Sequence, residues 1–293
     1  MNSLYISDLD GTLLQNDATL SDFAEKTLRR LLTEGLLFTI ASARSVVSMQ
    51  GMLRGLPLSL PVIEFNGAFL SDLTTGKHEI INAIEPSIAL SVYEQILKHD
   101  LVPFVSSFDG SEDHVHYDAI INDGMHWYLN DRLRHRDGRW HNPSDLAASL
   151  REQVVCFTVV GKDEPLAALQ YAVLQVHAGT VETHLFENQY SPGWHWLTVH
   201  DYRATKDRAI RLLIERYGLS GSEIAVFGDQ SNDLKMFQIA DRAIAVANAT
   251  EELKHHADRI IGSNEDDSVV RFIAEDWMAR KVATDSYIPE GAQ

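Results

Sequence analysis

The chain has 293 residues, 45% hydrophobic and 23% charged, and carries a formal net charge of −17. This is a globular composition, long enough for one large domain or two smaller ones. The acidic surplus argues against a nucleic-acid backbone or an anionic membrane as the main partner, since both repel such a surface. One cysteine, Cys156, excludes an internal disulfide, and its neighbours Val154, Val155 and Phe157 make it a buried structural thiol rather than a nucleophile. Residues 1–6 lack the basic-then-apolar pattern of a secretory signal, and no apolar run nears the ~20 residues of a membrane crossing. The expected location is the cytoplasm.

The first third of the chain alternates strand and helix signals. Leu4–Ser7 is a short apolar strand, and Leu20–Leu32 has helical spacing with Ser21 as its cap. A second buried strand covers residues 36–41, a helix follows from about Val46 to Leu53, and a third strand covers residues 61–65, ending at Asn66-Gly67. Continuous apolar strands separated by helices mark a parallel sheet covered on both faces. The middle differs, with a helix near 86–98, strands near 102–108, 114–117, 154–160 and 181–186, and a helix near 165–177. The parallel rhythm returns with a helix at 205–217 that stops at Gly218, strands at 224–227, 243–246 and 259–261, and helices at 232–239, 250–256 and 267–278. The fold expected is α/β: a Rossmann-like parallel-sheet core from residues 1–82 and 191–293, with an inserted α+β domain at 83–190. The polar stretch from about 280 reads as disordered.

Asp8-Leu9-Asp10-Gly11-Thr12-Leu13 stands just past the first strand, where open α/β sheets place their ligands. Two carboxylates one residue apart, followed by glycine, can converge on one small site, one as nucleophile and the other as general acid and base. Alone, the motif is no more than a strand end with an Asp-Gly turn. A second acidic cluster, Gly228-Asp229-Gln230-Ser231-Asn232-Asp233, also follows an apolar strand and opens a helix. Oxygen ligands from two such strand ends suit Mg2+. Ser42, after the second strand, offers a hydroxyl near a helix start for phosphate oxygens, or else simply caps the helix. Lys206 opens a helix, an odd place for a cation unless it faces an anion.

Taken in order, Asp8-Leu9-Asp10-Gly11-Thr12, Ser42, Lys206 and Gly228-Asp229-Gln230-Ser231-Asn232-Asp233 resemble the four motifs of the haloacid dehalogenase superfamily. The middle insertion resembles the type II, subclass B cap of its Cof-type branch. The resemblance implies a magnesium-dependent phosphatase of a small phosphorylated metabolite, such as a sugar phosphate or related cofactor phosphate, working through an aspartyl-phosphate. It implies Asp8 as nucleophile and metal ligand, and Asp10 as acid and base that also ligates metal through its carbonyl. Ser42, Ala43, Lys206 and Asn232 would contact phosphate, Asp229 and Asp233 would serve the metal, and Asn66 would contact phosphate or substrate. Three departures from the branch pattern stand out: Ala43 in place of glycine, Gln230 in place of glycine, and Asp207 after Lys206. At position 230 a required glycine conformation would strain the metal loop.

A phosphomutase or phosphotransferase would use the same residues, so the motifs do not separate these outcomes. A catalytically retired binding module predicts a damaged motif set, yet Asp8, Asp10, Lys206 and Asp229 are all present. In the middle segment His114 and His116 alternate along a strand and share one face, but nothing nearby completes a ligand set, and they read as ordinary surface or cap-contact histidines. Tyr190, Trp194, His195 and Trp196 read equally as pocket wall or core packing. The sequence does not set the oligomeric state.

Overall fold

The computed structural model describes residues 3–188 and 190–285. Its strands are β1 (Ser3–Ser7), β2 (Leu37–Ile40), β3 (Val62–Glu64), β4 (Phe69–Ser71), β5 (His78–Ile81), β6 (Pro103–Phe108), β7 (Asp113–Tyr117), β8 (Trp140–His141), β9 (Gln153–Gly161), β10 (Val181–Glu187), β11 (His195–Asp201), β12 (Glu223–Gly228), β13 (Arg242–Ala245) and β14 (Arg259–Ile260). Its helices are α1 (Asp22–Thr33), α2 (Val46–Met52), α3 (Pro86–Lys98), α4 (Asp123–Arg134), α5 (Leu146–Ser149), α6 (Asp163–His177), α7 (Lys206–Arg216), α8 (Leu234–Ile239), α9 (Glu251–His255) and α10 (Ser268–Asp285). No described helix is long and apolar enough to cross a membrane.

The chain divides into two compact units. One comprises the residues up to Asn66, Leu70–His78 and the chain from Ile210; the other comprises Gly67–Phe69 and Glu79–Ala209. The first holds a parallel sheet of order β14-β13-β12-β1-β2. Every residue of β1 is buried, as a strand covered on both faces requires. Ser21 caps α1 by accepting from the Ala24 N–H at 3.0 Å. Helix α10 is tied to the sheet by polar contacts: the Tyr5 hydroxyl donates to Asp276 at 2.6 Å, and Arg242 reaches both oxygens of Asp276. The helix continues to Asp285, beyond the expected end at 278, so the start of the stretch read as disordered is helical. The rest of that stretch, from residue 286, lies outside the described residues.

The second unit is built on a six-stranded sheet of order β10-β11-β9-β6-β7-β8, antiparallel except for the β7–β8 pair. Adjacent residues alternate between its two faces, as the strand period demands. Val105, Val159 and Leu197 join one cluster with Ala89, Val92 and Ile96 of α3 and Leu166, Leu169 and Val173 of α6. Phe104, Val160 and Trp196 join the other, with Met125 of α4 and the rings of Tyr128 and Trp140. Trp196, left open between pocket wall and packing, is buried edge-on against Trp127 and Tyr128. Strand β11 pairs with both β9 and β10, so residues 195–201 belong to this sheet, whereas the sequence reading returns to the core at 191.

Two local features of this unit matter below. Gly67 has φ +118°, and a β-carbon there would lie 2.6 Å from the Thr205 carbonyl oxygen. The expectation that nothing completes a ligand set around His114 and His116 is overturned by Glu152, whose Oε2 lies 3.1 Å from a ring nitrogen of each. Glu152 is distant from them in sequence but immediately precedes β9, which only β6 separates from β7 in the sheet.

Candidate active site

Strands β1 and β12 run parallel with Ser7 opposite Phe227, so both acidic motifs leave the sheet at neighbouring strand ends. Asp8 is fixed as the chain emerges: its N–H donates to the Phe227 carbonyl at 3.0 Å, and the Asp8 carbonyl accepts from the Ser7 hydroxyl at 2.7 Å. The next residues turn sharply, with Gly11 at φ +71°. A side chain there would be strained and would also place its β-carbon 2.5 Å from Asp229 Oδ2. Thr12 donates to Asp229 Oδ1 at 2.8 Å, and Asn248 donates to the Gly11 carbonyl at 2.7 Å.

Asp8, Asp229 and Asp233 each bring one carboxylate oxygen within 4.8 Å of the others. Their exposures are 6%, 4% and 0%. Three buried carboxylates so close repel one another strongly and call for a cation. An all-oxygen donor set suits a hard divalent ion, so these residues fit Mg2+. Asp233 Oδ2 accepts from the Asp229 N–H at 2.9 Å and the Gln230 N–H at 3.1 Å, which shapes the loop around the cluster. Gly228 leaves room for that carboxylate, because a β-carbon there would meet Asp233 Oδ2 at 2.5 Å. Gln230 itself is extended, at φ −123° and ψ 171°, so the strain expected from its replacing glycine does not arise.

Asp10 is held by Arg44, whose Nε donates to Oδ2 and Nη2 to Oδ1, each at 2.6 Å. Ser42 is 1% exposed; its N–H donates to the Ile63 carbonyl, and its own carbonyl accepts from the Asn66 N–H, both at 2.9 Å. It does not cap α2: that role falls to Ser45, which accepts from the Ser48 N–H. Ala43 is half-buried between them. Asn66 sits at φ +57°, a left-handed conformation that asparagine tolerates, and accepts from the Asn232 side chain at 3.1 Å. Beneath this loop Glu64, 0% exposed, accepts from the Val46 N–H and the Ser71 hydroxyl. Lys206, 1% exposed, is the first residue of α7 and belongs to the other compact unit.

Within the first unit the structure thus gathers Asp8, Asp229 and Asp233, pairs Asp10 with Arg44, and pairs Asn66 with Asn232. Sequence reasoning passed over Arg44, Thr12, Glu64 and Asn248. Arg44 carried a legible signal, a cation two residues beyond the Ser42 hydroxyl. Asn248 carried none, because a side-chain amide bonded to a distant carbonyl has no sequence pattern.

The sequence pattern of the haloacid dehalogenase-like hydrolases matches residues 5–273. The chain is 28% identical over 276 residues to the 5-amino-6-(5-phospho-D-ribitylamino)uracil phosphatase YitU of Bacillus subtilis, covering 92% of this chain and 95% of that protein. It is 26% identical over 279 residues to the pyridoxal phosphate phosphatase YbhA of Escherichia coli, covering 91% and 95%. Among solved structures, a haloacid dehalogenase-like hydrolase from Bacteroides thetaiotaomicron superposes with a TM-score of 0.78 at 20% identity, covering 94% of this chain and all of that one. TM0651 from Thermotoga maritima gives 0.74 at 24% identity, covering 94% and 97%. The protein belongs to the haloacid dehalogenase-like hydrolases, as a phosphatase of their Cof-type branch.

Proposed function

We propose that the protein hydrolyses a phosphate monoester of a small metabolite, with the carboxylate of Asp8 attacking phosphorus to give an aspartyl-phosphate that water then cleaves. The observation that carries this reading is the convergence of Asp8 with Asp229 and Asp233 at the ends of β1 and β12. Mg2+ held by Asp8, Asp229 and the Asp10 carbonyl, with Asp233 supporting, would neutralise charge between the carboxylate nucleophile and the phosphate. Asp10 gives a proton to the leaving alkoxide and later takes one from water. Arg44 turns both Asp10 oxygens to a fixed direction for that exchange. The Ser42 hydroxyl, the backbone at Ala43, and the Asn232 and Lys206 side chains bind phosphoryl oxygens, and Asn66 orients Asn232. The unit inserted between the motifs acts as the cap that excludes water and reads the rest of the substrate. A cytoplasmic location fits such a substrate.

The two named relatives act on a ribityl phosphate and on pyridoxal phosphate. Both are primary phosphate esters attached to a nitrogen heterocycle, and this class heads the list of substrates to try. The test is a panel of phosphorylated metabolites with Mg2+, read as inorganic phosphate released. Asp8→Asn should abolish release while leaving the fold intact. Full activity in a pure Asp8→Asn sample, or isomer formation without free phosphate, would overturn the reading.

A further inference from the structure

The second unit carries a cluster of metal-ligating side chains that the proposed phosphatase chemistry does not use. His114 and His116 lie two apart on β7 and therefore project from one face of the sheet. The intervening Val115 points to the other face, into the aromatic cluster. Glu152, just before β9, comes to the same face. His114 Nδ1 and His116 Nε2 each lie 3.1 Å from its Oε2, and the three ligand atoms all fall within 4.8 Å of one another. The side chains are 17%, 9% and 22% exposed, sheltered yet reachable from solvent. His141, paired in register with His116 on β8, stands exposed beside them, its ring 4.9 Å from that of His114.

We propose that His114 Nδ1, His116 Nε2 and Glu152 Oε2 form a binding site for a divalent transition metal, Zn2+ above all, with water in the fourth position. Two arguments support it beyond the donor types. The first is geometric. Zn–N and Zn–O bonds of about 2.0–2.1 Å in a tetrahedron set ligand atoms about 3.3 Å apart. The observed 3.1 Å edges need only a few tenths of an ångström to admit the ion. The second is hydrogen-bond capacity. Glu152 Oε2 faces not only the two imidazoles but also the Ser107 hydroxyl, which donates at 2.6 Å. One carboxylate oxygen has two lone-pair directions, so three donors crowd it. With a metal between the imidazoles and the carboxylate, the lone pairs of both rings turn inward and Ser107 remains as the single donor, holding the carboxylate in place as outer partners of metal ligands do. The competing reading is a pair of imidazole N–H donors to the carboxylate, which leaves Oε2 shared between both rings and Ser107.

The bound ion would join β7 to the start of β9 across the intervening β6, so it should stiffen this unit. The experiment uses the full chain with Asp8→Asn and Asp229→Asn, which disables the oxygen cluster. Co2+ is titrated and followed by visible absorption, which is intense for tetrahedral and faint for octahedral coordination. One equivalent of Co2+ should develop the intense spectrum, and one equivalent of Zn2+ should abolish it. Adding Glu152→Gln or His116→Gln should remove the spectrum, and Ser107→Ala should weaken binding about 10-fold. In the same Asp8→Asn, Asp229→Asn background Zn2+ should also raise the Tm by a few degrees, and should not once His116→Gln is added. A faint spectrum at one equivalent, or one unchanged by both Glu152→Gln and His116→Gln, overturns the proposal. If Glu152→Gln or His116→Gln fails to fold, the Zn2+ dependence of the Tm of the Asp8→Asn, Asp229→Asn chain decides alone, with no shift counting against the site.

Discussion

Arg44 meets Asp10 fork to fork, with two parallel hydrogen bonds of 2.6 Å, while the arginine is 11% and the aspartate 28% exposed. A bidentate contact fixes the plane of a carboxylate, which a single-point contact does not. Lysine cannot reproduce it. Arg44→Lys should therefore lower kcat about 10- to 100-fold, the scale of a misaligned acid–base group, with KM changed much less. Steady-state kinetics on any accepted phosphate ester will show it. A rise in KM with kcat unchanged would instead make Arg44 a binding residue.

Gly11 is caught between backbone and site. Its φ of +71° disfavours a side chain, and the space where one would go is occupied by Asp229 Oδ2. Gly11→Ala should cost about 1–3 kcal/mol of stability through backbone strain. It should also raise the Mg2+ concentration needed for half-maximal activity, because Asp229 is displaced. Thermal unfolding and a magnesium titration measure the two effects separately.

His200 is fully buried, and burial, with the His184 ring as a lesser cause, lowers its pKa from the ordinary 6.5 to about 3. The folded protein therefore holds it neutral, with Nδ1 bonded to the Val155 carbonyl at 3.2 Å and Nε2 3.7 Å from Cys156 Sγ. Below pH 6.5 the unfolded chain binds a proton that the folded chain refuses. Stability from this residue is thus present above 6.5 and lost as pH falls toward 3. At about pH 5 the loss amounts to about 2 kcal/mol. His200→Gln should flatten the fall in stability between about pH 7 and pH 5 in denaturant titrations, whatever it does to stability at neutral pH.

Burial pushes the Cys156 thiol up to about 12, outweighing the hydrogen bond to Thr158. The thiolate is the reactive form. A thiol-specific reagent should leave the native protein unlabelled over the time in which it fully labels the denatured chain. Rapid labelling of native protein would show that β9 opens locally.

The parallel core and most of its elements were legible because buried parallel strands write themselves as continuous apolar runs, such as Tyr5-Ile6 and Ala225-Val226-Phe227. The acidic motifs were legible because both fall at strand ends, which β1–β12 pairing makes neighbours. Strand β11 was not, since His195-Trp196-Leu197-Thr198 mixes polar and aromatic residues that only its partners β9 and β10 make sense of. Helix α4 was hidden for a related reason: few of its residues are buried, so its apolar stripe is narrow. The caps were half legible, with Ser21 found from its position and Ser45 passed over in favour of Ser42. Glu152 could not be joined to His114 and His116 by any sequence rule, because the strand between them is supplied by the fold.

Gly67 carries no chemistry, yet only its missing β-carbon leaves room for the Thr205 backbone, whose carbonyl oxygen would lie 2.6 Å from any β-carbon placed there, one residue before Lys206. A random-mutagenesis library selected for activity should therefore reject every replacement at 67 as firmly as it rejects loss of the lysine. A bystander glycine and a charged residue far along the chain would share one intolerance, inherited from a single point of close backbone approach.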